Sequence, residues 1–197
     1  MTEPSTRAPY RIVVGVDFDK PGDDALAEAL RMARENANDE LHVVHVVKMR
    51  GDDAKSIDRA ADEMQARANE LRARVVDVCA TVFPNEEWEQ ELVYHVRLGD
   101  PADALHQVAI DYEANLVVVG THARSGIEKL LLGSVAEKLV RIAQLPVLVA
   151  RPRNFGGSRK SSRPEAPRPG EVLHDEHYHA SERVTFRGRG GHISGLV

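Results

Sequence analysis

The chain has 197 residues, 42% of them apolar, and a formal net charge of −5, enough for one domain with a tail or for two small domains. No run of 18 apolar residues occurs, so no membrane span is expected. The opening MTEPSTRAPY lacks an apolar signal core, and the single cysteine, Cys79, excludes an intrachain disulfide, so a cytoplasmic protein is expected. Charge is uneven: residues 151–197 hold nine Lys/Arg against five Asp/Glu, and residues 1–150 hold 17 against 26. An acidic body argues against a nucleic-acid surface on the folded part.

Arg11–Val16 (RIVVGV) reads as a central strand, nearly all apolar. It runs into Asp17-Phe18-Asp19, and Asp23-Asp24 precede a helix with Leu26, Ala29, Leu30 and Ala33 on one face; Asp19, Asp23 and Asp24 read as loop and cap residues. A carboxylate such as Asp17, just past a central strand, can accept hydrogen bonds from a nucleoside. An acid near a helix N-terminus is also favoured by the dipole alone. Leu41–Val47 (LHVVHVV) is a second strand; His42 and His45 fall on opposite faces, which argues against a shared metal. A long amphipathic helix over about 54–80 carries Met64, Ala68, Leu71, Val75 and Val78 on its apolar side, with Cys79 as a small buried hydrophobe. Trp88, among acids, reads as a surface turn or strand entry.

Leu92–Leu98 alternates apolar and polar residues, as an edge strand does. Gly99 turns the chain, and Asp100-Pro101-Ala102-Asp103 is a helix start with Asp as cap and Pro at the first position; Leu105, Val108, Ala109 and Tyr112 form its expected buried face. Leu116–Val119 is a fourth strand ending in Gly120. Gly133-Ser134 opens a helix with Val135, Leu139 and Ile142 on one side, and Ser134-Val-Ala-Glu137 fits a capping box. Val147–Ala150 is the last strand, apolar enough to invite pairing with a second chain.

Strand and helix thus alternate, which predicts an α/β fold: an open five-stranded parallel sheet covered by helices on both faces. With strand order 3-2-1-4-5, the first and fourth strands flank the topological switch, where ligands bind outside the strands' carboxyl ends. That puts Asp17 on one lip of a crevice and the Gly120–Ser134 loop on the other. Free amides at the helix N-terminus, helped by the dipole, suit a phosphate there. From Arg151 onward the chain is rich in Pro, Gly, Ser and Arg and reads as a disordered, flexible basic tail. His174, His177 and His179, the possible strand Val184–Phe186, and Arg187–Gly191, which resembles short nucleic-acid-binding tracts, are its minor signals.

Twelve residues separate Gly120 from Gly133, and Ser134 follows. This resembles the ATP-binding segment of the universal stress protein (UspA-like) family: Gly, two residues, Gly, nine residues, Gly, then Ser or Thr. Gly120, Gly133 and Ser134 match; the second glycine position holds Ala123. The resemblance extends to Asp17, to His45-Val46 at the second strand's end and to Gly99-Asp100-Pro101, and covers residues 9–152 as one domain, leaving 153–197 as the tail. It implies a Rossmann-like fold of the adenine nucleotide alpha hydrolase type. It also implies ATP, accompanied by Mg²⁺, as the ligand. Asp17 would contact the nucleotide, the backbone near Val46 the base edge, and the loop and helix start (Gly120, Thr121, His122, Ala123, Gly133, Ser134, Val135) the phosphates, with Arg124 as a further donor. A homodimer through the last strand and a nucleotide-responsive stress role follow from the same resemblance.

No Gly-x-x-x-x-Gly-Lys-[Ser/Thr] loop and no Ser-His-Asp or Cys-His set occurs in the sequence. A regulatory binder is therefore expected rather than a fast enzyme, with slow ATP hydrolysis or self-phosphorylation known in parts of the family. Two alternatives use the same residues. One is a nucleotide-free dimeric interaction module of this fold, given Ala123. The other is a phosphoacceptor receiver domain using Asp17, Asp19 and Thr121; Asp100, in a helix-cap sequence, and Arg151 after the last strand fit it poorly.

Overall fold

The computed structural model describes residues 8–35, 39–48, 54–84, 92–121, 132–151, 172–174 and 180–182, with the backbone alone for 54–61 and for the last two segments. The chain divides into two compact units, Met1–Arg153 and Asn154–Val197.

In the first unit, strands β1 (Arg11–Gly15), β2 (Glu40–Val47), β3 (Leu92–Leu98), β4 (Leu116–Gly120) and β5 (Val147–Ala150) alternate with helices α1 (Lys20–Ala33), α2 (Ala54–Val82), α3 (Pro101–Asp111) and α4 (Ser134–Ile142). The strands form one parallel sheet in the order β3-β2-β1-β4-β5. The predicted architecture and strand order are those observed. Central β1 and β4 are continuous apolar runs because both of their faces are covered.

Alternation along the strands sorts the core into two layers. Ile12, Val14, Leu41, Val43 and Val118 pack against Leu26 and Leu30 of α1 and Leu71 and Val75 of α2. Val13, Val44, Val117 and Val119 face Leu105 and Val108 of α3 and Leu139 of α4. Each such side chain contributes roughly 1.5–3 kcal/mol by leaving water. Of the apolar stripe expected on α2, Leu71, Val75 and Val78 are buried, while Met64, Ala68 and Cys79 are only partly so. Burial raises the Cys79 thiol's pKa, as expected of a packing residue rather than a nucleophile.

Three local expectations need correction. Helix α1 starts at Lys20, with Asp19 as its N-cap and Pro21 in the first turn, so Asp23 and Asp24 lie inside the helix rather than before it. The proline, pre-set for a first helical turn, was the informative residue. Tyr112 ends α3 as its C-cap and is 38% exposed, so the buried face of that helix is Ala102, Leu105, Val108 and Ala109. The N-cap of α4 is Gly133, not Ser134: the first α-helical bond runs from the Glu137 amide to the Gly133 carbonyl. Ser134 is therefore the first helical residue rather than the cap. Asp100 caps α3 as expected, accepting from the Ala102 and Asp103 amides at 2.9 and 3.1 Å.

In the second unit, β6 (Val172–His174) and β7 (Ala180–Glu182) pair antiparallel. This short hairpin was not legible in the sequence. The candidate strand Val184–Phe186, the residues His177 and His179, the Arg187–Gly191 tract and most of the linker lie outside the described residues, as does Trp88. Among the described residues no helix is long and apolar enough to cross a membrane.

Candidate functional site

A cleft of about 350 Å³ opens at the carboxyl ends of the strands, where β1 and β4 meet. It is floored by Gly15, Val44 and Val119 and bounded by α3 through Pro101 and Leu105. One lip is the β1–α1 turn with Asp17 and Asp19; the other is Gly120 with Gly133, Ser134, Val135 and Ala136 at the start of α4. His45, Val46 and Lys48, at the end of β2, close the third side.

The acidic lip is held tightly. Asp17 Oδ1 accepts a hydrogen bond from the Asp19 amide at 3.2 Å. Between them Phe18 adopts φ +63°, a left-handed conformation that costs a non-glycine residue about 1–2 kcal/mol. Its ring lies 4.3 Å, centroid to centroid, from the buried His45 ring. His45 in turn donates from Nδ1 to the Val16 carbonyl at 2.8 Å, which fixes its tautomer, because a carbonyl can only accept. From α2, Arg74 donates to the Phe18 carbonyl at 2.6 Å and pairs through Nε with Asp23 Oδ1 at 2.8 Å. Burial pushes the Asp23 carboxyl's pKa up, with the Arg74 charge pulling the other way.

Two glycines make this geometry possible. A Cβ on Gly22 would run into the Asp17 carboxylate and lie 2.9 Å from the Asp17 amide nitrogen; a Cβ on Gly120 would collide with the Pro21 carbonyl. The first turn of α1 is thus wedged between the two lips, and Gly120 is required by this close backbone approach whatever else it does.

The opposite lip offers donors. The Glu137 amide is the first in α4 to bond within the helix, so the amides of Ser134, Val135 and Ala136 precede the ladder at the dipole's positive end. The Ser134 side chain is exposed beside them.

Of the residues singled out in the sequence, Asp17, Val46, Gly120, Gly133, Ser134 and Val135 line this single cleft. Thr121 does not: it is buried, and its amide donates to the Ala150 carbonyl at 3.2 Å, which extends the sheet ladder. His122, Ala123 and Arg124 lie outside the described residues. Asp100 is occupied as a cap and by Lys138 at 3.1 Å; the Asp103 amide and then Lys138 hold its pKa below the usual value. Sequence reasoning missed Gly22, Lys48 and Arg74. A glycine in the first helical turn and a cation just past a strand beside the switch were visible signals for the first two. Nothing local marks Arg74, which arrives from a distant helix. Among the described residues no three His, Cys, Asp or Glu side chains group closely enough to hold a metal. In particular His42 and His45 lie apart, His42 facing His95 instead, at 3.0 Å between ring nitrogens.

A doubly wound parallel sheet with its crevice between an acidic first turn and the start of a late helix defines a class of α/β proteins that bind ligands at the switch point. Comparison with known proteins narrows this. The universal stress protein family matches residues 10–151, and the chain belongs to that family. It is 31% identical to Universal stress protein G of Escherichia coli O157:H7 over 127 residues, covering 63% of this chain and 87% of that protein. It is 39% identical to Universal stress protein MJ0531 of Methanocaldococcus jannaschii over 66 residues, a match spanning 34% of this chain but only 39% of that protein. Among solved structures, a universal stress protein in complex with cAMP is similar, with a TM-score of 0.54 and 25% identity, covering 74% of this chain and 99% of that one.

Proposed function

We propose that this chain binds an adenine nucleotide, ATP, in the switch-point cleft and acts as a nucleotide-responsive stress regulator. The observation that supports this most is the convergence of Asp17 and the free amides of α4 on one cleft. A carboxylate accepts from nucleoside hydroxyl or amino groups, and helix-terminal amides donate to phosphate. The cAMP complex of a similar protein supports the adenine class. In this reading the backbone at Val46 meets the base edge, and Gly133, Ser134 and Val135 hold phosphate, joined by Gly120 and by His122 and Ala123 along the loop, while Thr121 stays in the sheet ladder. Mg²⁺ would accompany the phosphates and offset their charge.

The half-buried edge strand β5 (Val147, Leu148, Val149) and the exposed Val140 nearby in sequence support a homodimer in which β5 meets its counterpart. A cytoplasmic location fits the single, partly buried cysteine.

Mass spectrometry of small molecules released on denaturing the purified protein, followed by calorimetric titration with ATP, tests the nucleotide reading. Release of an adenine nucleotide, or saturable heat with ATP, is the expected result. Neither release nor heat, in the native chain and in Ala123→Gly alike, would leave the nucleotide-free interaction module as the function. Ala123→Gly is expected to tighten ATP by up to about tenfold, the equivalent of about 1.4 kcal/mol, if Ala123 stands at a left-handed backbone position.

A further inference from the structure

We propose that Arg74 is a positioning residue for the nucleotide: it lies outside the cleft and sets affinity by holding Asp17 in place. This rests on the nucleotide-binding reading of the cleft.

Phe18 is the strained residue of the turn, at φ +63°. A bulky residue keeps such a φ only where its surroundings over-determine it. Two side chains from different elements do so here. His45 supports the turn from the β2 side through the Val16 carbonyl at 2.8 Å and the Phe18 ring. Arg74 supports it from α2: one terminal nitrogen donates to the Phe18 carbonyl at 2.6 Å, while Nε lies 2.8 Å from Asp23 Oδ1 as an ion pair without hydrogen-bond alignment. A single planar guanidinium therefore joins the residue after Asp17 to the first turn of α1, the turn whose Gly22 abuts the Asp17 carboxylate. The fork is steady because α2 is anchored around it by Leu71, Val75 and Val78, all buried. Arg74 itself is not among the residues lining the cleft. Without it, the Phe18 peptide is free to relax toward negative φ. The Asp17 carboxylate then swings off the cleft, while the apolar contacts of α2 remain. Lysine cannot replace it, because one ammonium lacks the rigid fork that reaches two acceptors in fixed geometry.

The test compares Arg74→Met and Arg74→Lys with the native chain by calorimetric titration with ATP and with adenosine. It adds Asp17→Asn alone and combined with Arg74→Met, and Arg72→Met as a control on the same helix. Both Arg74 variants are expected to bind ATP and adenosine about tenfold more weakly, with Arg72→Met unchanged. The Arg74→Met/Asp17→Asn pair should bind no more weakly than Asp17→Asn alone, because a residue that acts through another adds nothing once that other is gone. Hydrogen exchange without ligand gives a second readout: the Asp19 amide should exchange faster in Arg74→Met while the β1 and β2 amides keep their protection. Affinity within twofold of native, or fully additive losses in the pair, would overturn the proposal. If the native chain binds neither ligand, the nucleotide reading falls, and unchanged Asp19 exchange in Arg74→Met would then overturn the role of Arg74 separately.

Discussion

The turn at Asp17–Asp19 shows how much of a site is carried by residues that offer a ligand no side chain. Gly22 has no side chain, yet a methyl there would displace the carboxylate beside it. Gly22→Ala is therefore expected to weaken ATP binding by about tenfold, even though alanine is the better helix former; titration calorimetry checks this, and unchanged affinity would mean that the placement of Asp17 is not limiting. A second prediction concerns His95, 4% exposed. Burial first, then His42 and Arg97, lowers its pKa from 6.5 to about 4. The Arg97 guanidinium, 3.4 Å from Nδ1, can only donate, so His95 Nε2 carries the proton shared with His42. The unfolded chain takes up a proton near pH 6.5 and the folded chain only near 4, so the unfolded state binds more protons in between. Stability is fully present above the unfolded value and falls as the pH drops through that window. His95→Gln should flatten the fall in melting temperature between pH 7 and pH 4; a slope equal to that of the native chain would exclude His95 as its source. This pair was invisible in the sequence. Strand parity separates His42 from His45, but the meeting of His42 and His95 depends on the register between β2 and β3, which no local pattern encodes.

At the scale of elements, the legible features were those with local causes. Continuous apolar runs mark β1 and β4, alternation marks β3, and Asp100-Pro101 marks the start of α3. The errors arose where two local signals competed. Ser134 with Glu137 matches a capping box, but Gly133, at φ −62° and ψ 153°, takes the cap one residue earlier. Asp23 with Asp24 resembles a cap, but Pro21 had already opened the helix. The site was half legible for the same reason: its glycines and Asp17 stand in sequence patterns, whereas Arg74 reaches it only through tertiary packing. Helix α4, which presents the phosphate-side amides, is only nine residues long and is fixed by few anchors, chiefly Ala136 and Leu139. Leu139, fully buried, should be costly to truncate. Leu139→Ala is expected to destabilise the fold by about 2–5 kcal/mol, read as a lower urea midpoint at unchanged slope. A loss below about 1 kcal/mol would mean that α4 adds little to the core.

At the scale of the whole molecule, the sheet ends on one side in β5, whose Val147–Val149 are only partly buried among the described residues. The proposed dimer covers them. Val149→Lys places a charge on that edge and is expected to shift the protein from dimer to monomer in light scattering at micromolar concentration; a native chain that is already monomeric would dismiss the dimer. The acidic first unit and the basic residues beyond Arg151 give the chain two oppositely charged parts, so salt should act differently on any association made by each.

The central seam has a further consequence, in time rather than in space. Ile12 pairs with Leu116, and the Arg11 amide bonds the Asn115 side chain 104 positions away. Strands β1, β2 and β3 can zip together as the chain leaves the ribosome, but the β1–β4 junction must wait for most of the first unit to be synthesised. The cleft sits over that junction, so it is among the last features to be completed during folding. A nascent chain halted before residue 116 would hold three paired strands and no place for a ligand.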